Sequence, residues 1–236
     1  MRIVNKYMNV LIACEESQRV CIAFRQKGHR AFSCDIQPCS GGHPEWHIQD
    51  NVLPLLNGNC TFEDSAGGVH DIVGKWDLII AHPPCTYLTN ACTRAFSLKS
   101  TPAFEVCDRW DKRAKAVAFF MQFVLADCDK IAVENPVGYM STAYRKPEQI
   151  INPYQFAESI DDKENYVTKR TCLWLKGLPK LKKNELPKPV MEKYYSVYKG
   201  GYKSKDWCTY SNNKDRAKQR SKTFPGIAKA MAEQWG

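Results

Sequence analysis

Short apolar stretches rich in Val, Ile and Leu recur along the chain, and each stops at a polar residue or a proline. Met8 to Ala13 (MNVLIA), Ala31 to Cys34, Trp46 to Ile48, Asp77 to Ala81, Lys130 to Val133 and Tyr166 to Leu175 read as strands. Asp77 to Ala81 in particular is near-continuously hydrophobic, as a strand covered on both faces must be. Helical spacing fills several of the intervals. Gln18 to Lys27 is expected to be a helix, with Ser17 as its N-cap and Gly28 just past its end. Asp108 to Ala126 places Ala114, Val117, Ala118, Met121, Val124 and Leu125 on one helical face. A last helix starts at Thr223-Phe224-Pro225-Gly226 and runs to Gln234. Strands alternating with helices predict an α/β, Rossmann-like fold, a mostly parallel twisted sheet flanked by helices. Residues 57–75 read as a surface excursion, 91–101 as a mobile loop and 137–153 as a turn-rich lip.

A length of 236 residues suits one domain spanning residues 1–236. No apolar run is long enough to span a bilayer, so no membrane partner is expected and the location is expected to be cytoplasmic. The 11 cysteines are odd in number and show no CxxC spacing, which fits free thiols in a reducing compartment. Cys39, His43 and His47 are spaced like metal ligands, but Gly41, Gly42 and Pro44 between them break a helix, and no metal site is expected.

Charge changes the picture. The formal net charge is +9, and residues 180–222 hold 13 Lys+Arg against 4 Asp+Glu, so the whole excess lies in one block. Residues 176–222 read as a basic, Tyr-rich insertion, a minimal substrate-recognition region. Interleaved Lys and Tyr can grip a single nucleic-acid strand by phosphate contact and base stacking.

The chemistry gathers where strands stop. Asp77 to Ala81 runs into His82-Pro83-Pro84-Cys85, and the prolines bar both ladder donation and an immediate helix. A thiol therefore sits just past the carboxyl end of a central strand, where open α/β sheets place their ligands. Lys130 to Val133 ends similarly in Glu134-Asn135-Pro136. The first strand–helix–strand unit closes on Asp35, an acid placed to accept bonds from ribose hydroxyls.

Pro84-Cys85 followed by Glu134-Asn135 resembles the catalytic Pro-Cys and Glu-Asn motifs of the cytosine-C5 DNA methyltransferases. Over nearly its entire length the chain is similar to the small phage and prophage proteins of that kind, through runs such as ACEESQRV, AHPPCTYL, ENPVGYM and KRTCLWLKGLP. The resemblance implies S-adenosyl-L-methionine as cofactor, Cys85 as nucleophile, Glu134 as partner of the base's N3, and Arg170 as a contact to the base. It also implies a cofactor rim of Cys14, Glu15, Glu16, Asp35, Ile36, Asp50 and Pro83, with Asp50 near the adenine and Glu15 or Glu16 near the methionine ammonium. Two departures stand out. The turn Cys14-Glu15-Glu16-Ser17 has no glycine, and the Gln-x-Arg-x-Arg pattern is missing around Arg170. Exocyclic-amino methyl transfer, an inactive nucleic-acid-binding module, and a single-stranded or nucleotide substrate stay open at this stage.

Overall fold

The computed structural model describes residues 7–190 and 220–236, together with the strand segments Tyr195–Val197 and Lys203–Lys205. About half of the basic, Tyr-rich insertion lies outside the described residues.

A seven-stranded sheet forms the centre, in the order β3-β2-β1-β6-β7-β9-β8. Its members are β1 (Asn9–Ala13), β2 (Arg30–Cys34), β3 (His47–Ile48), β6 (Leu78–Ala81), β7 (Ile131–Pro136), β8 (Gln149–Ile151) and β9 (Thr171–Lys176). The first five in spatial order run parallel, whereas β9 is antiparallel to both β7 and β8. From β1 the chain builds outward through β2 and β3, then returns to lay β6 on the other side of β1. The β1–β6 junction is therefore the switch point at which an open sheet presents a crevice.

Strand alternation divides the core in two. Leu11, Phe32, Ile79, Ile131, Val133 and Trp174 face α2 (Ala103–Leu125), which contributes Phe120 and Phe123. Val10, Ile12, Ala31, Leu78, Ile80 and Leu173 face α1 (Arg19–Gln26) and the last described helix, α4 (Pro225–Trp235). Two-sided coverage explains why the central strands are fully buried, and the expected mixed α/β architecture with a mostly parallel sheet is observed.

Several elements differ from the sequence reading. The surface excursion contains an antiparallel hairpin, β4 (Cys60–Glu63) and β5 (Val69–Ile72), which drives Phe62, Ile72 and Trp76 into the core. Helix α2 begins at Ala103, ahead of the amphipathic stretch, and much of its added first turn is exposed. Residues 90–96 form a 3-10 helix, and the segment after Glu134 holds α3 (Met140–Ala143) and β8. Strand β7 does not stop at Glu134: Glu134, Asn135 and Pro136 pair with Leu173, Cys172 and Thr171 of β9. Proline is tolerated there because β6 ends at Ala81, opposite Val133, leaving that edge of β7 without a ladder partner. Gly28 does adopt positive φ (86°) beyond α1, as a helix-ending glycine should. Among the described residues no helix is long and apolar enough to cross a membrane.

Candidate active site

All the strand-end residues singled out by sequence lie along the carboxyl edge of the parallel strands, on both sides of the β1–β6 junction. Beyond Ala81 and Val133 the two neighbouring chains separate, and side chains replace the ladder as the link. Asn135, nearly fully buried, donates from Nδ2 to the Pro83 carbonyl at 2.8 Å. Tyr139 N–H donates to the Leu88 carbonyl at 2.7 Å, and Thr89 bridges Gly138. Gly138 is required by this closeness: a Cβ there would overlap the Leu88 carbonyl oxygen. The loop carrying Cys85 and the strand carrying Glu134 are thus fastened at three points.

Glu134 does not stand alone. Its Oε2 lies 2.9 Å from His82 Nδ1, and the side chains are 15% and 11% exposed, so this charge pair is largely removed from water. Burial works against the imidazolium, but the bond to Glu134, its charge and that of Glu15 outweigh burial and raise the His82 pKa. For Glu134, burial alone would favour the acid; His82, Lys169 and a hydrogen bond with the Thr223 side chain reverse that and lower its pKa. Both shifts run in the direction that favours an imidazolium beside a carboxylate. His82 Nε2, Asn135 Oδ1 and Glu134 Oε2 are buried without a hydrogen-bond partner among the described residues, so the 2.9 Å His82–Glu134 contact is a close charge pair.

Cys85 is an exposed residue of the same edge. Desolvation of its thiol raises its pKa; Lys169 and Arg220 pull it down, and Glu134 pushes it up again. Lys169 therefore acts on Cys85, Glu134 and His82 together. It is fixed by donating to the Arg220 carbonyl at 2.8 Å and by lying over the Phe224 ring. Arg170, the base contact implied by resemblance, is exposed, and its charge acts on Cys172.

The cofactor-side residues divide. Glu15 turns inward, accepting from Val20 N at 2.7 Å and Cys21 N at 3.2 Å. It caps α1 in place of the expected Ser17, because the residue at the N-cap position, Gln18, is in the left-handed region with no capping bond of its own. Desolvation raises the Glu15 pKa, opposed by His82 and the two backbone bonds. Cys14 takes φ 60°, the kind of conformation a glycine would supply, so the turn closes without one. Glu16 and Pro83 are buried. Asp35 accepts from Gln37 N at 2.9 Å, and partial desolvation raises its pKa. Ile36 beside it is 76% exposed. Asp50 is exposed and receives the N–H of Asn51.

His47, one of the metal-spaced trio, is spent on structure: Nδ1 is 2.9 Å from Ser33 Oγ and Nε2 2.9 Å from the Gln37 carbonyl. His43 stacks on Trp46 and contacts Glu45. Among the described residues no group of His, Cys, Asp and Glu is arranged to hold a metal ion. A concavity of about 790 Å³ lies elsewhere, between α1, α4 and residues 155–165, and collects none of these strand-end groups.

Sequence reasoning passes over His82 and Thr223, and prefers Arg170 to Lys169. The signal for His82 is present: an imidazole at the last position before two prolines, one strand away from an acid at the equivalent level. No protein-family model matches the chain, and no curated protein shows significant similarity to it.

Proposed function

We propose that the protein transfers a methyl group from S-adenosylmethionine to C5 of cytosine in DNA through a covalent Cys85 adduct. The observation that carries this reading is the fastening of the Cys85 loop to the Glu134 strand at the sheet's switch point. Cytosine C5 is a poor nucleophile. A thiolate adding to C6 turns C5 into an enamine-like carbon, provided N3 receives a proton or hydrogen bond. Cys85 supplies the sulfur and Glu134 faces N3. Lys169 favours the thiolate electrostatically and takes, in this reading, the base-contacting role that resemblance gave to Arg170. The buried, unpartnered His82 Nε2 and Asn135 Oδ1 offer polar atoms to a ligand's edge.

The cofactor rim fits an adenosyl group. Asp35 at the end of β2 is placed for ribose hydroxyls, and exposed Ile36 gives an apolar surface for the base. Glu15 adds selectivity. In dinucleotide-binding folds the first helix N-terminus receives pyrophosphate, but here a carboxylate occupies it. Its two oxygens already take the Val20 and Cys21 N–H groups that a phosphate would need, which disfavours a phosphate-bearing cofactor. When bound, the cofactor would supply the electrophilic methyl group. The substrate is proposed to be DNA because the chain's positive excess is concentrated in residues 180–222.

Incubation with methyl-labelled S-adenosylmethionine and cytosine-containing DNA, followed by nucleoside analysis, tests the reading. Label in 5-methylcytosine, lost in Cys85→Ser, is expected. Label on the exocyclic amine, with activity surviving Cys85→Ser, would replace it with amino methyl transfer.

A further inference from the structure

His82 precedes Pro83-Pro84-Cys85, yet it faces Glu134 on the neighbouring strand rather than the thiol's own loop. Charged groups approach it from each element packed around it: Glu134 from β7, Glu15 from the turn after β1, and Lys169 from the segment before β9. The two acids favour a protonated ring and the lysine opposes it. Thr223, buried in the segment leading into α4, hydrogen-bonds Glu134 from a further side. Arg19 donates to the Thr223 carbonyl at 2.9 Å, which holds that segment in place.

Resting on the reading above, we propose that His82 is the positioning residue and proton reservoir for Glu134. A carboxylate alone has no proton to give N3, and Glu134 is held as a carboxylate. The 2.9 Å contact supplies the missing proton from Nδ1. Cys85, which is exposed, first gives its thiol proton to solvent; as the thiolate's S–C6 bond forms, the C5=C6 electron pair becomes the C4=C5 bond and the C4=N3 pair moves onto N3. N3 takes, through Glu134, the Nδ1 proton of the His82–Glu134 pair. The pair is left as neutral imidazole, with its remaining proton on Nε2, and a carboxylate. An Nδ1 lone pair then faces that carboxylate at close range, which favours return of the proton from N3 once the methyl group is on C5, a base such as solvent takes the C5 proton, the C5=C6 bond re-forms and Cys85 leaves as thiolate. No external acid is required.

The test uses the whole chain and DNA containing 5-fluorocytosine, which retains the adduct, and follows adduct formation by mass spectrometry as a function of pH. The His82 titration is read separately by NMR of the imidazole in the wild-type protein. One limb of the wild-type rate–pH profile is expected to coincide with the His82 midpoint. In His82→Asn, which keeps an N–H donor near the Nδ1 position but carries no titrating proton, that limb should move to the carboxylate range. The maximal rate should also fall about a hundredfold. A His82→Asn profile of wild-type shape would overturn the proposal, whether or not the rate drops uniformly, since a purely structural role gives that result. Should the variant fail to fold, the wild-type comparison decides alone: an adduct rate that is flat through the His82 titration sinks the assignment. Absence of any adduct in the wild type overturns the methyltransferase reading itself, and the role of His82 with it.

Discussion

The two halves of the carboxyl edge are built differently. At the β6–β7 half, charge is buried and cross-linked: His82 with Glu134, Asn135 with Pro83, Tyr139 with Leu88. At the β1–β2–β3 half, Glu15 is consumed as a helix cap, while Asp35 and Asp50 are partly or fully exposed and bonded to nearby backbone, Asp35 to Gln37 and Asp50 to Asn51. The first half is preorganised before any ligand arrives, as groups that stabilise developing charge need to be. The second is a rim whose remaining contacts a ligand would complete. Mutations in the two halves should therefore fail in different ways, the former in rate and fold together, the latter in affinity.

Glycine substitution gives the largest contrast. Gly138→Ala forces a Cβ into the Leu88 carbonyl, and we expect a loss of about 3 kcal/mol in urea unfolding. Misplacing the two loops should also slow methyl transfer about a hundredfold. Gly42 on the other half has φ 87° but open space around its Cβ, so Gly42→Ala should cost only about 1 kcal/mol. Equal costs would erase the distinction.

The acids come next. Glu15→Ala leaves the Val20 and Cys21 N–H groups unpaired and should lower stability by about 2 kcal/mol. Asp35→Ala should change stability by less than about 0.5 kcal/mol. Its effect should appear in calorimetry, as S-adenosylmethionine binding weakened roughly tenfold.

These acids also show what was legible. Most strands of the main sheet and the positions of Cys85 and Glu134 near their carboxyl ends could be read from apolar runs followed by prolines, although β7 runs on to Pro136, because its pairing with β9 is not a local property. The roles of Glu15, His82 and Lys169 could not, because each depends on a partner from another element. Glu15 caps a helix from outside the usual cap position, His82 reaches across to β7, and Lys169 is aimed by a backbone carbonyl of Arg220. The β4–β5 hairpin was hidden for a different reason: its strands are short, every second residue is exposed, and of their side chains only Phe62 and Ile72 are fully buried.

A smaller effect separates two adjacent cations. Lys169→Met should raise the Cys85 pKa and slow its alkylation by iodoacetamide at fixed pH roughly fivefold, followed by peptide mapping. Arg170→Met, whose charge acts on Cys172 instead, should leave the Cys85 rate unchanged.

The mildest signature is the pH dependence of stability. The folded-state pKa of His82 is raised above 6.5, so its contribution is complete below that value and is lost as pH rises through the folded pKa. That of Glu134 is lowered below 4.5, so its contribution is present above 4.5 and is lost as pH falls through the folded pKa. Both act together between about 4.5 and 6.5. Glu134→Gln should remove this maximum, so that the difference in unfolding stability between wild type and variant peaks between about 4.5 and 6.5.

The most direct test of the central claim is the mass of the denatured protein after incubation with S-adenosylmethionine and 5-fluorocytosine DNA. A stable increase equal to the methylated substrate, mapped to Cys85 and absent in Cys85→Ser, is the predicted result. Robust methylation of ordinary cytosine DNA with no mass shift on the fluorinated substrate would show that Cys85 is not the nucleophile.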